Sequence, residues 1–427
     1  MSENANLLGA DSDTYFEQFD VANEAREIGN AIDLDLGEAW AELHRRGEVH
    51  KGTPRALVGA PEFGAYDVER DSYTLTSYKA CARALRDNRT FSSAAYLDTV
   101  VFRSMGPTII SMIGGEHRNL RAVAQPHFVQ PRASDWWRPN WIEGLVNTLL
   151  DRLVPMERAD LNLDLCARLP IHTIIRGLGV DGDQALRFRS NLLRSIGQRG
   201  GTPEEMMAAP GEVKRLLREV IDARRTAPKE DLISKLIAGR LEGEGGEREL
   251  SDDDIVAYCQ LIFLAGSATT WRQLGIALVA LLRDRTNWEA CLADRSLIPQ
   301  AIEEAARWHG TQQLFPRTTT EDVEMGGVTI PAGSRVFVVA GAANRDPERW
   351  DRPGEYDIHR EAKPHLGFGM GPHICLGMHV AKEEMVSALN GLMDRFPNLR
   401  LDPAAPEPEL IGAMEQRGAS HVRVLLH

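Results

Sequence analysis

The sequence predicts a mainly helical protein with a small β-rich region, folded as one large domain. Helical periodicity is the first reason. Apolar residues recur at three-to-four spacing over Leu36 to Arg46, Tyr78 to Arg86, Trp141 to Leu153, Val213 to Arg225 and Pro299 to Trp308, the period of a helix with one buried face. A second reason is one very long apolar run. Ser251 can cap a helix in which Asp254 stands three residues on, a capping box with Asp in place of Glu. Its apolar pattern persists to about Leu282, about 45 Å at 1.5 Å per residue. A helix apolar nearly all round must cross the protein interior. Third, strand signals are short and late: Gly326-Gly327 precedes Val328-Thr329-Ile330, and Pro331-Ala332-Gly333 leads into Val336 to Ala340.

Composition agrees with one globular unit. The chain has 427 residues, 43% hydrophobic and 26% charged, an ordinary balance. Its length would suit two domains, but no Pro/Gly/Ser linker and no internal repeat divides it. Residues 1–427 therefore read as one domain able to enclose a cofactor, with 1–20 a flexible N-terminal segment. Glu242 to Glu247, made only of Gly and Glu, reads as an exposed loop before the long helix.

Charge narrows the partners. Lys and Arg total 49 against 62 Asp and Glu, a net charge of -13, which repels nucleic acid and anionic membranes. Met1 to Asp13 lacks a basic n-region and an apolar h-region, so no secretory signal is expected. Ile255 to Leu282 is interrupted by Gln260, Arg272 and Gln273, which suits a buried helix and not a membrane span. Cysteines at 81, 166, 259, 291 and 375 are odd in number and unpaired in spacing, as in a reducing cytoplasm. A cytoplasmic monomer is the expected state.

Chemistry concentrates in Phe368-Gly369-Met370-Gly371-Pro372-His373-Ile374-Cys375-Leu376-Gly377. Glycines let a backbone turn tightly and approach a flat ligand. Met378 to Met393 is helical in pattern, so Cys375 would sit at a helix N-terminus, where positive potential favours the metal-binding thiolate. Backbone N–H groups of that turn could also donate to the sulfur. An inert buried cysteine, a zinc site from His373, Cys375 and His379, and a cysteine nucleophile with a histidine base are the other readings of these residues.

The pattern Phe-Gly-x-Gly-x-x-x-Cys-x-Gly resembles the haem-binding loop of the cytochrome P450 superfamily and matches it at every fixed position. The resemblance implies a helical prism with a small β-rich region, and haem b between the long central helix and the Cys loop. Cys375 would ligate the iron, with Phe368, Gly369 and Gly377 against the cofactor. Glu304-Ala305-Ala306-Arg307 looks like the family's Glu-x-x-Arg pair, one helical face carrying a bidentate ion pair. Arg360 would complete that structural triad, and Tyr356 stands where the family usually has Phe. Buried haem propionates need cationic or hydrogen-bonding partners. The resemblance implies His117 and Arg121 in Glu116-His117-Arg118-Asn119-Leu120-Arg121, Arg317 after Pro316, and His373. His365 reads as structural.

Midway along the long helix, Ala265-Gly266-Ser267-Ala268-Thr269-Thr270 is small and polar. Alone, it would suit a close helix crossing equally well. It also resembles the family's oxygen-binding motif, Ala/Gly-Gly-x-Asp/Glu-Thr-Thr. That implies Ala265 and Thr269 against the haem, Gly266 leaving room for oxygen, and Thr269 hydrogen-bonding it. The acid that relays protons is replaced by Ala268, a departure at a catalytic position. Ser267, Thr270 or ordered water could carry the relay; a substrate group could supply the proton; or the enzyme could use peroxide or perform oxidative coupling.

The implied function is a monooxygenase that inserts one atom of O2 into a small or medium apolar substrate, such as a terpenoid or aromatic compound, by hydroxylation or O-dealkylation. Phe102, Met105, Leu261, Leu264, Ala265, Leu314 and Phe315 are the candidate pocket residues. No flavin or nicotinamide segment is left over, so electrons are expected from a ferredoxin with its NAD(P)H-dependent reductase. Arg118, Arg121 and Lys382 are the candidate landing site for that acidic carrier. A non-catalytic haem sensor and a haem-free helical ligand-binding protein are the readings from other classes.

Overall fold

A computed structural model describes residues 32, 34–63, 66, 68–180, 182–195, 202–243 and 246–427. The expected flexible segment, 1–20, lies outside the described residues. The long helix spans Asp252–Arg283, and its capping box is reciprocal: Asp254 N–H donates to Ser251 Oγ at 3.1 Å and Ser251 N–H to Asp254 at 3.0 Å. It runs through the main core, among wholly buried Trp137, Leu149, Leu278 and Leu389. Burial is interrupted midway, where Leu264, Gly266 and Thr269 are half-buried and Ala265 is exposed.

Other helices follow their apolar spacing. Leu36–Arg46 and Tyr78–Arg86 form over the predicted residues, and the Pro299 helix begins one residue earlier, at Ile298. The predicted helix from Trp141 starts late, at Glu143, because Ala133–Ile142 is wound as a π-helix around Pro139. Proline has no N–H to give the turn before it, which favours that wider winding. Val213 to Arg225 belongs to a longer helix, Pro203–Thr226, begun by a capping box of Thr202 and Glu205.

A five-stranded sheet is assembled from distant segments in the order Val49–Lys51, Ser72–Leu75, Arg335–Val338, Phe315–Thr319 and Phe91–Ser92. The predicted strand at Val336 ends at Val338, and Ala340–Ala343 turns helical. Val328–Ile330 pairs with Val323–Met325. The connecting Gly326 and Gly327 both have positive φ, as a two-residue hairpin turn requires. One expectation is corrected. Within the expected loop, Glu242, Gly243, Gly246 and Glu247 are strand residues: Arg240–Gly243 pairs with Gly246–Glu249, and Arg240 meets Glu249 across the strands at 3.0 Å.

Two packing relations position the site. Tyr258, two turns before Ala265, donates its hydroxyl hydrogen bond to the Leu120 carbonyl, joining the central helix to helix Gly114–Ala124. The loop helix, Met378–Arg395, begins just beyond Cys375.

Candidate active site

The Cys loop is held open by glycine geometry. Gly369 and Gly371 have φ of 70° and 72°, a region that L side chains avoid. A Cβ on Gly371 would also lie 2.5 Å from the Leu85 carbonyl oxygen, whereas one on Gly377 would meet nothing within 4 Å. Cys375 N–H closes the loop on the Phe368 carbonyl at 2.8 Å. Cys375 is the one exposed cysteine of five, yet its surroundings are deep. Burial pushes its thiol up, opposed by the N–H groups of Gly377 and Met378 and the charges of Arg121 and Lys382. Surface that is open but desolvated faces a space inside the protein.

Basic groups converge beside that loop. His373 lies within electrostatic reach of Arg317, His117 and Arg121, its ring 4.2 Å from that of His117. Arg121 Nη2 donates to the Ile374 carbonyl at 2.8 Å. Burial lowers His117 to about 4 and His373 to about 3, so both imidazoles are neutral near pH 7. Among the described residues, neither Arg121 nor Arg317 has a carboxylate partner. His117 is only 2% exposed, yet neither ring nitrogen is hydrogen-bonded; Arg317, equally buried, leaves Nε unpartnered. An unmet buried donor costs about 1–3 kcal/mol. Two buried arginines without a carboxylate partner, one of them with an orphaned Nε, therefore fit a ligand bearing buried carboxylates, as haem does through its propionates.

Behind the loop, Arg307 holds Glu304 through two 2.7 Å bonds, and Arg360 Nε reaches the same carboxylate at 2.9 Å. Arg307 also donates to the carbonyls of Asn344, Pro353 and Glu355. The unusual Tyr356 donates to the Ala301 carbonyl at 3.1 Å. His365 accepts from Gly367 N–H at 3.0 Å and meets Glu303 at 2.8 Å, as a structural histidine should.

The comparisons with known proteins give the family. The cytochrome P450 family model matches residues 204–414. Nocardicin C N-oxygenase of Nocardia uniformis subsp. tsuyamanensis is 35% identical over 383 residues, covering 88% of this chain and 91% of that one. Cytochrome P450 107B1 of Saccharopolyspora erythraea is 32% identical, over 79% of this chain and 84% of its own. The crystal structure of CYP109E1 from Bacillus megaterium with testosterone superposes with a TM-score of 0.79 at 25% identity, covering 92% of this chain and 100% of that one. The chain belongs to the cytochrome P450 superfamily. It is accordingly a haem-thiolate monooxygenase that uses O2 and a redox partner. No helix among its described residues is long and apolar enough to cross a membrane.

Packing gives several residues of this P450 contacts that the sequence did not show. His373 Nδ1 meets the Ile109 carbonyl at 3.2 Å and Nε2 meets Ser93 Oγ at 3.0 Å, and its ring backs His117. Gly266 has a packing reason: an added Cβ would lie 2.4 Å from Ile174 Cδ1, so glycine admits the crossing helix. Thr269 does face the opening, its hydroxyl donating to the Ala265 carbonyl at 2.8 Å, while Ser267, Ala268 and Thr270 are buried.

In the pocket set, Leu261 belongs to the main core and Leu314 to a separate cluster with Trp40, Phe337 and Met414. Phe315 is half-buried beside Gly369 of the Cys loop. Phe102 and Met105 are half-buried against the main core, and Leu264 is half-buried on the central helix. The landing-site set is also corrected. Arg121 is buried and Lys382 pairs with Glu303, which leaves Arg118 exposed. Exposed Arg86 and Arg89 were missed; Arg86 Cα would lie 2.9 Å from a Cβ on Gly371 of the Cys loop. No local pattern announces that adjacency. Ser93 and Tyr96, beside His373 and Arg317, were missed for the same reason.

Proposed function

We propose that this P450 binds haem b through Cys375 and oxygenates a small or medium apolar substrate, by hydroxylation or O-dealkylation, with electrons from a separate ferredoxin. The observation that carries the reading is Cys375 itself, open into a desolvated space and facing two backbone N–H donors. When bound, the haem supplies a redox-active iron whose thiolate ligand favours O–O cleavage. His117, Arg121 and Arg317 would hold the carboxylates; Phe368, Gly369 and Gly377 would bear on one face, and Ala265 and Thr269 on the other. Glu304, Arg307 and Arg360 would hold the loop in place. Arg86, Arg89 and Arg118 offer an acidic carrier exposed positive charge despite the net charge. Phe102, Met105 and Leu264 would exclude water and bear on an apolar substrate.

The test is the absorption spectrum of the reduced protein under carbon monoxide, which reports thiolate ligation. A colourless protein after growth with ample haem precursor, or a Cys375→Ala variant spectrally identical to the parent, would sink the reading.

A second reading concerns protons. With Ser267, Ala268 and Thr270 buried, Thr269 brings the motif's one open hydroxyl to the space. That favours a proton from substrate, or a reaction run with peroxide or as oxidative coupling. Product formed with peroxide in place of the electron carrier tests it.

A further inference from the structure

One turn beyond the open hydroxyl of the central helix, two polar side chains are buried with atoms left unmatched. Gln273 is 7% exposed and Thr311 is 4% exposed. Thr311 N–H donates to Gln273 Oε1 at 2.9 Å, which fixes the amide's orientation and turns its Nε2 the other way. That Nε2 and the Thr311 hydroxyl meet no hydrogen-bonding group among the described residues. Thr311 lies between helix Ile298–Trp308 and strand Phe315–Thr319, and its carbonyl accepts from Arg417 N–H at 3.0 Å. Its backbone is thus pinned on both sides while its side chain stays unsatisfied.

Helix geometry carries these groups to Thr269. Residues four apart share a helical face, with Cβ atoms about 5–6 Å apart, and helical side chains lean toward the N-terminus. Gln273 therefore leans over the turn that holds Thr269 and Thr270. The Thr269 hydroxyl donates to the Ala265 carbonyl at 2.8 Å, and its oxygen keeps lone pairs with which to accept. An amide donor, a hydroxyl that can donate or accept, and an accepting oxygen make about three polar partners, the usual set around an internal water. Ala268, on the same turn, supplies none of these.

We propose that Gln273 Nε2, Thr311 Oγ1 and Thr269 Oγ1 hold one internal water, which returns protons to Thr269 in place of the acid missing at position 268. The proposal rests on haem-thiolate use of O2 and adds the water site that serves it. Gln273 and Thr311 are positioning residues, since both act through the water. As the Thr269 proton passes into the ligand space, the water donates one of its own to the Thr269 oxygen and is restored by exchange with bulk water.

Thr311→Val keeps the branched shape and removes the hydroxyl, whereas Thr311→Ser keeps the hydroxyl and removes a buried methyl. A packing role alone favours Val over Ser, because Ser leaves a void; holding water favours Ser over Val. A crystal structure of the holoprotein should show one water in hydrogen-bonding distance of Gln273 Nε2 and Thr311 Oγ1, kept in Thr311→Ser and lost in Thr311→Val. When protons arrive too slowly, dioxygen stops at hydrogen peroxide instead of going on to water. With electrons from a ferredoxin and its reductase, water formed per dioxygen consumed should fall about tenfold in Thr311→Val, the scale of one hydrogen bond. It should hold at the parental level in Thr311→Ser. A dry site, or water formation unchanged in Thr311→Val, overturns the proposal, as does Thr311→Ser faring worse than Thr311→Val. No thiolate band under carbon monoxide in the parent would instead overturn the haem reading, and the crystallographic test of the water would still stand.

Discussion

Glu304 and Arg307 meet edge to edge, Nη2 on Oε1 and Nε on Oε2, each at 2.7 Å, with both side chains 2% exposed. Arg360 adds a second guanidinium to the same carboxylate. Removing one partner of a buried ion network strands the others, at about 3–5 kcal/mol. Glu304→Gln should therefore lower holoprotein stability by that order in urea unfolding. A loss under about 1 kcal/mol, the range of an exposed pair, would count against a supporting role.

His117 leads to a prediction of two opposite signs. Both of its ring nitrogens are buried without partners, so in the haem-free protein the imidazole is a liability of about 1–3 kcal/mol. His117→Phe should leave the haem-free form as stable as the parent or more so. It should also weaken haem retention, by about tenfold or more if a carboxylate bond is lost. Thermal unfolding without haem and haem transfer with it separate the two effects.

Glu384 gives a pH dependence. It is buried on the loop helix, Oε1 lacks a partner, and burial raises it from 4.5 to about 8, against a hydrogen bond from Thr173. The folded state thus keeps a proton that the unfolded chain releases above pH 4.5. Stability from this group is complete below that pH and declines by up to about 1.4 kcal/mol per pH unit until the folded value is passed. Glu384→Gln should flatten the fall in denaturant midpoint between pH 5 and 8. A parallel fall in both proteins would show that Glu384 is charged when folded.

Arg86→Glu and Arg118→Glu should slow reduction by a ferredoxin at low ionic strength, by about tenfold or more, with the difference shrinking as salt rises. Lys382→Glu should matter mainly through its lost pair with Glu303, and so show little salt dependence. Equal rates in all three across a salt series would place the docking surface elsewhere.

Ala268→Asp tests the missing acid. If proton supply limits the native enzyme, product formed per reduced cofactor consumed should rise in the variant. No gain in rate or coupling would mean that the native relay is already sufficient.

What could be read without coordinates was local. Gly369, Gly371 and Cys375 hold fixed spacings in one loop, Glu304 and Arg307 lie one turn apart, and Ser251 and Asp254 cap their own helix. Each relation spans a few residues, so the chain's order alone determined it. Apolar periodicity likewise sufficed for the helices, except where Pro139 changed the winding. Tertiary structure decided which groups found partners. His373 meets Ser93 and Ile109 because both come from a distant segment, and His117 is orphaned because no described residue hydrogen-bonds its ring. Leu261 and Leu314 became core, and Arg86 came to the Cys loop, through the packing of elements far apart in the chain. A side chain's type states which bonds it can make; whether a partner or a ligand must complete them depends on neighbours that only folding supplies.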